Sequence, residues 1–169
     1  MNTVEIKAPV TIVRDFLLKP ELVLRLNPSW YVKEITAADD NSYAVTLYDD
    51  RTEDSRRIIL NVEVSKGSVN YIINSAAIEF MTYEVKPSVT KISITGNYFE
   101  KEDLTYWLKG LQNYIMLTEK QSSFVKWLLD RFWLRMTPSQ RRITIIIIIA
   151  EGVGLIALIA VIIFLKLMK

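Results

Sequence analysis

The sequence predicts an α+β domain, a seven-stranded antiparallel sheet closed over one long helix, followed by a single helix apolar enough to cross a bilayer. Three observations carry that expectation. Apolar residues alternate with period two through six stretches between residues 30 and 98, separated by short polar turns. A helical stripe of Leu104, Leu108, Leu111, Ile115 and Thr118 comes after them. Residues 143–165 then carry one charge, Glu151, and a helix of that length covers roughly 30 Å or more, the thickness of a hydrocarbon core.

The first strand is read at residues 3–7, where Thr-Val-Glu-Ile-Lys alternates. Pro9 suits a first helical turn, and Val10, Val13, Phe16 and Leu17 fall at helical spacing after it. Lys19-Pro20 separates a second short helix, which Asn27-Pro28 ends. Strands are expected at 30–37, 42–49, 56–65, 68–74, 77–85 and 89–98, with turns at 39–41, 50–55, Lys66-Gly67 and 86–88. Ser75-Ala76 reads as either a tight turn or a bulge. Connections this short imply an antiparallel meander. Glu100, Glu102 and Asp103 open the long helix, where negative charge suits the N-terminal dipole. The helix runs to Met136 or breaks near Gln121-Ser122-Ser123, and Thr137-Pro138-Ser139 is the expected hinge. The sheet cannot close its core alone, so the long helix covers its apolar face and the short helices plug one end.

The organisation expected is therefore a globular domain at 1–120, an amphipathic helix and hinge at 121–140, and an anchor at 141–169. Charge divides along the same line. Residues 1–120 hold 14 Lys and Arg against 17 Asp and Glu, whereas residues 121–169 hold 7 against 2. The head is a poor nucleic-acid binder, and the basic excess sits where anionic lipid headgroups would be. The first residues show neither a basic region nor an apolar run of the signal-peptide kind, so the head is expected to stay in the cytoplasm, with the anchor inserting after translation. Arg131, Arg135, Arg141 and Arg142 ahead of the span outnumber Lys166 and Lys169 behind it, which gives the same single-pass orientation in the cell membrane.

Cysteine and histidine are both absent. That removes Ser-His and Cys-His nucleophiles, the usual zinc sites and any histidine base, and no metal or other cofactor is expected. The loop carboxylates at 39–40, 49–50 and 53–54 match no calcium-loop spacing.

The punctuation of the first 30 residues resembles the Bet v 1-like superfamily, also called START-like or SRPBCC. Val4-Glu5-Ile6-Lys7-Ala8-Pro9-Val10 is similar to that family's opening strand running into a helix. Asp15-Phe16-Leu17 and Lys19-Pro20-Glu21-Leu22 are similar to its helix-helix junction, and Asn27-Pro28 through Val32 to its entry into the second strand. The resemblance covers about residues 2–120 and does not include the anchor. It implies a helix-grip fold with a deep apolar cavity, and members that bind lipids, sterols, quinones or polyketides, some of them cyclases. The polyketide-cyclase-like and coenzyme-Q-binding branches are the nearest in size. No catalytic motif of any branch is identifiable, so no catalytic residue is carried over.

Residues of one strand face would line such a hollow or fill it: Ile58, Leu60, Val62 and Val64; Val69, Tyr71 and Ile73; Ile92, Ile94 and Tyr98; and either Met81 with Tyr83 or Ile78 with Phe80. From the long helix Trp107, Leu111, Tyr114 and Ile115 look the same way. Tyr71, Tyr83 and Tyr114 are the strongest ligand candidates, because a buried phenol wants a hydrogen-bond partner that a ligand could supply. The segment 124–136 mixes aromatic and basic residues in the manner of an interfacial helix, giving Trp127, Arg131, Trp133, Arg135, Arg141 and Arg142 as membrane-interface residues; alternatively its apolar face caps the head. Within the span, Ala150, Gly154 and Ala157 make a small-residue face with Glu151 on its edge, suited to a membrane-protein partner or a second copy. Three functions are compatible with this reading: a membrane-anchored binder of a lipid, quinone or isoprenoid-like molecule, an accessory subunit of a membrane complex, and a cyclase or lyase. The lack of histidine places the enzyme last.

Overall fold

The computed structural model describes residues 2–96, 101–120 and 123–167. Its strands are β1 (Asn2–Ile6), β2 (Trp30–Asp39), β3 (Ser42–Asp49), β4 (Asp54–Ser65), β5 (Ser68–Ile73), β6 (Ala76–Lys86) and β7 (Val89–Gly96). Its helices are α1 (Val10–Leu17), α2 (Pro20–Arg25), α3 (Lys101–Lys120), α4 (Ser123–Arg131) and α5 (Pro138–Leu167), with a 3-10 turn at Trp133–Arg135. All seven strands form one antiparallel sheet in the order β1-β7-β6-β5-β4-β3-β2. The meander from β2 to β7 needs only hairpins. β1 pairs with β7, so β1 and β2 are opposite edges and the α1–α2 pair must cross from one to the other. It crosses over the inner face, α1 packing on β6 and β7 and α2 on β2.

The β4–β5 and β5–β6 hairpins are closed by residues that take positive φ in the turn itself. Gly67 turns β4 into β5 at φ +103°. Asn74 and Ser75, at φ 47° and 71°, make a two-residue turn into β6, so the ambiguity at Ser75-Ala76 resolves as a tight turn of the type whose twist matches a hairpin.

Alternation sets the buried face. Trp30 and Val32, Val45 and Leu47, Ile58 and Leu60, Val69 and Tyr71, Ile78 and Phe80, and Ile92 and Ile94 all point inward and are buried. Across them lies α3, contributing Leu104, Trp107, Leu108, Leu111 and Ile115 to the same core. Burying each such side chain contributes about 1.5–3 kcal/mol. The arrangement is a helix-grip.

At the far end the structure chooses between the two alternatives for the long helix and shows what stands at the hinge. The long helix does not run on to Met136. After α3 comes a separate helix, α4, that folds back, and the Tyr114 phenol donates to Asp130 at 2.5 Å. In one continuous helix those residues would lie about 24 Å apart. The hinge at Thr137-Pro138-Ser139 is a capped helix start. Pro138 is the first residue of α5, Thr137 N–H donates to Gln140 Oε1 at 2.9 Å, and Gln140 N–H donates to Thr137 Oγ1 at 3.2 Å, a reciprocal capping box. Tyr98, the helix opening at Glu100 and the break residues Gln121-Ser122 lie outside the described residues.

The packed unit continues past α3. Leu134 belongs to the core cluster, with Leu129 and Trp133 against it. α5 then leaves the head as a 30-residue helix, long and apolar enough to span a membrane, and none of its apolar window is buried.

Candidate functional site: the cleft at the root of α5

The interior expected to be hollow is occupied by rings. Tyr71 meets Phe80 edge-on at 5.3 Å between centroids, Phe80 meets Trp107 at 5.6 Å, and Trp107 meets Trp30 at 5.6 Å. The chain of contacts reaches from β5 to β2 beneath α3. Its polar atoms are satisfied from the helices above. Tyr71 Oη donates to the Leu17 carbonyl at 2.6 Å, and Trp107 Nε1 donates to the Val23 carbonyl at 2.8 Å. Burial pushes the Tyr71 phenol well above its ordinary pKa, so it stays a neutral donor. Leu111 and Ile115 complete the cluster.

Tyr83 is a correction to the sequence reading. Phe80 and Ile78 take the inward positions of β6, which sends Tyr83 to the outer face, where it is 46% exposed and donates to Met81 Sδ. A one-residue phase decides the face of every side chain in a strand. Val64, in phase with Ile58, Leu60 and Val62, lies beyond the cover of the helices and is exposed.

Open apolar space lies instead outside the core, in one cleft of about 390 Å³ between α2 and the β2–β3 edge and in another at the ends of the helices. A cleft of about 410 Å³ is lined by Leu26, Gly110, Asn113, Tyr114, Leu117, Leu129, Trp133 and Arg141. Its walls are the end of α2, one side of α3, and α4 with the 3-10 turn. Gly110 lets α2 and α3 close on one another at its floor: a Cβ there would sit 3.0 Å from the Leu26 carbonyl oxygen. Tyr114 is the polar member. Its hydroxyl is held by Asp130, and partial burial together with that carboxylate pushes the phenol's pKa up.

Arg141 closes the cleft and ties it to α5. Its Nη1 donates to the Arg25 carbonyl at 2.7 Å, its Nε to the Trp133 carbonyl at 3.0 Å, and its Nη2 to the Leu134 carbonyl at 3.3 Å. Arg25 Nη1 donates to the same Leu134 carbonyl at 3.2 Å. Nearby, Asp50 accepts from Ser139 Oγ at 2.8 Å and pairs with Arg142. Arg141 is therefore buried and engaged with the head, not free at a headgroup layer as expected. Arg142 is exposed but paired, and Trp133 is packed partly into the head. Trp127, Arg131 and Arg135 do stand at the surface, and Ala150, Glu151, Gly154 and Ala157 are exposed along α5.

The structure thus brings Tyr114, Trp133 and Arg141 to one cleft, and buries Tyr71, Trp107, Leu111 and Ile115 in the core, to which the Tyr114 ring also belongs. Leu26, Gly110, Leu117 and Leu129 were not singled out from the sequence. A signal for them exists: Gly110, Asn113, Tyr114 and Leu117 recur at helical spacing, a second stripe beside the main one on α3.

No protein-family model matches the chain, and no curated protein matches it. Solved structures do. The di-domain ARO/CYC StfQ from the steffimycin biosynthetic pathway matches with a TM-score of 0.54 at 12% identity, over 70% of this chain and 44% of that one. A protein from Thermus thermophilus matches with a TM-score of 0.53 at 11% identity, over 70% of this chain and 97% of that one. A Deinococcus radiodurans protein gives 0.53 at 9% identity, over 69% and 95%. The likeness is one of fold. This chain spans less than half of the di-domain protein, and the helix-grip fold implied by the resemblance of its first 120 residues is the fold observed.

Proposed function

We propose that the chain is a membrane-tethered binding protein for a hydrophobic molecule of lipid, quinone or isoprenoid type, seated in the cleft between α3 and α4. One observation carries the reading: an apolar cleft of about 410 Å³ lies against Arg141, at the root of a helix fit to span a bilayer. That volume falls within the range of small-molecule sites, roughly 300–1,000 Å³. A molecule leaving the bilayer along α5 would enter a cleft whose apolar walls include Leu117, Leu129 and Trp133, and the Tyr114 oxygen, whose proton is given to Asp130, would accept a hydrogen bond from it. Apolar burial drives uptake, at about 25 cal/mol per Å². The arginines ahead of the span support a cytoplasmic head and a single pass through the cell membrane.

The test uses the full chain in detergent and a fluorescent isoprenoid alcohol as probe. Saturable binding is expected, lost in Leu117→Trp, which fills the cleft, and retained in Tyr83→Phe on the outer face. Leu117→Trp binding the probe as well as the wild type would sink this reading.

A second reading, an accessory subunit of a membrane complex, is favoured by Glu151. A carboxylate in mid-span costs about 2.5–3.5 kcal/mol on insertion scales unless it is paired or protonated, and it borders the exposed face of Ala150, Gly154 and Ala157. Cross-linking in membranes separates the two: Glu151→Leu abolishes a partner or self-association under the subunit reading and leaves probe binding intact under the first.

A further inference from the structure

We propose that the surface of α4 is a docking site for anionic phospholipid, with the lipid phosphate held in the cleft walled by Lys126, Trp127, Asp130, Arg131 and Arg135. This rests on the tether described above and names the headgroup chemistry beside it.

The segment from α4 into the 3-10 turn has two apolar faces. Leu129 and Trp133 pack onto the head, while Phe124, Trp127, Leu128 and Phe132 remain exposed, Phe124 by 64% and Trp127 by 52%. The exposed rings hold one another, Phe124 stacking on Trp127 at 5.9 Å and Trp127 meeting Phe132 edge-on at 5.7 Å. A contiguous aromatic patch of this kind marks an interaction surface. The next element of the chain indicates the occupant: α5 begins at Pro138, soon after the patch ends, and large apolar side chains along it from Ile143 to Ile159 are exposed. Only five residues separate Phe132 from Pro138, so lipid around α5 would lie close to α4.

Charge gives the lipid class. A cleft of about 440 Å³ is lined by Lys126, Trp127, Asp130, Arg131 and Arg135. Three cations and one carboxylate meet there, and the carboxylate already accepts the Tyr114 hydroxyl. Neither arginine is held in an ion pair among the described residues. Around the helix axis the centre of the Trp127–Arg131 row lies about 60° from the centre of the Phe124–Leu128 row. With the apolar stripe in the acyl boundary, the basic stripe sits at the depth of the phosphates, the placement expected of an interfacial helix. Arginine forks match phosphate oxygens bidentately, and Trp127 bounds both the apolar patch and the cleft.

The test places the full chain in nanodiscs of equal phosphatidylcholine and phosphatidylglycerol, releases it into detergent, and counts retained lipids by native mass spectrometry. Wild type is expected to retain phosphatidylglycerol in excess. Lys126→Gln/Arg131→Gln/Arg135→Gln, all on the surface of this segment, is expected to lower that excess about tenfold or more, since each basic group near an anionic surface contributes on the order of a fivefold preference. Lys86→Gln/Lys91→Gln, far along the sheet, is expected to leave it unchanged. Equal retention of the two lipids by wild type, or an undiminished excess in the triple variant, overturns the proposal. Displacement of the lipid by soluble glycerophosphate overturns it as well, assigning the cleft to a free phosphate. Failure of the tether reads out separately, as a chain that never enters the nanodiscs, and failure of the apolar cleft as lost probe binding with the lipid excess intact.

Discussion

α3 presents two sides to two different environments. Toward the sheet, Trp107, Leu108 and Leu111 are fully buried, their neighbours touch ring to ring, and the Tyr71 phenol and Trp107 indole each have a carbonyl to bond. Toward α4, Gly110, Tyr114 and Leu117 border open space, and Leu117 is 38% exposed. The same helix therefore does structural work on one side and leaves room for binding on the other. What differs is the partner: a seven-stranded sheet offers a continuous apolar surface, whereas a nine-residue helix and a 3-10 turn cover only part of the opposite side.

Substitution tests this contrast most strongly on the sheet side. Trp107→Ala removes a fully buried indole and leaves a void, so unfolding of the full chain in detergent is expected to show a loss of about 3–5 kcal/mol. Tyr71→Phe strands the Leu17 carbonyl inside the core and is expected to cost about 1–3 kcal/mol in the same measurement. Arg141→Met tests the joint between the regions. The Arg25, Trp133 and Leu134 carbonyls each lose a donor, and limited proteolysis around Met136 and Thr137 is expected to accelerate several-fold. On the open side the same kind of change barely registers: Phe132→Ser is expected to alter stability by no more than about 0.5 kcal/mol. A large loss there would mean that the exposed rings belong to the core.

The smallest effect is in alkaline titration. The phenols of Tyr71 and Tyr114 have folded-state pKa values above the unfolded value of 10.0. The folded chain thus holds those protons more tightly, and their contribution to stability is fully present below pH 10 and declines as pH rises through the folded-state values. Phenolate absorbance is expected to show Tyr71 and Tyr114 ionising late, with Tyr114 released to an earlier position in Asp130→Asn and Tyr71 unmoved.

Much of this was legible from residue order. Alternation phased the buried residues of β4, β5 and β7 correctly, as in Val69, Tyr71 and Ile73, although Val64 is exposed and Tyr98 lies outside the described residues. It left β6 open. Ile78-Glu79-Phe80-Met81-Thr82-Tyr83 has large side chains on both faces, and only the pairing of Phe80 with Val69 and Ile94 settles which set is buried. The helical stripe of α3 was equally plain, but its continuation through Val125 and Leu129 kept the same period, so nothing in the spacing distinguished one long helix from two that fold back. That decision is tertiary: it depends on Asp130 reaching Tyr114 and on Leu134 reaching the core. The cleft was hidden for the same reason, since its walls come from three helices whose closeness no local pattern encodes. Gly110 is the exception, a helical glycine whose lack of a side chain had a contact to explain it.

The Arg141 guanidinium has a mechanical consequence. A tether of loose chain would let the head swivel above the bilayer, but a side chain near the start of α5 that grips the ends of α2 and of the 3-10 turn acts as a splint. In the membrane-spanning arrangement proposed above, tilt of α5 would become rotation of the whole head. A thicker or thinner bilayer, by changing that tilt, would swing the opening beside Trp133 toward the lipid or away from it.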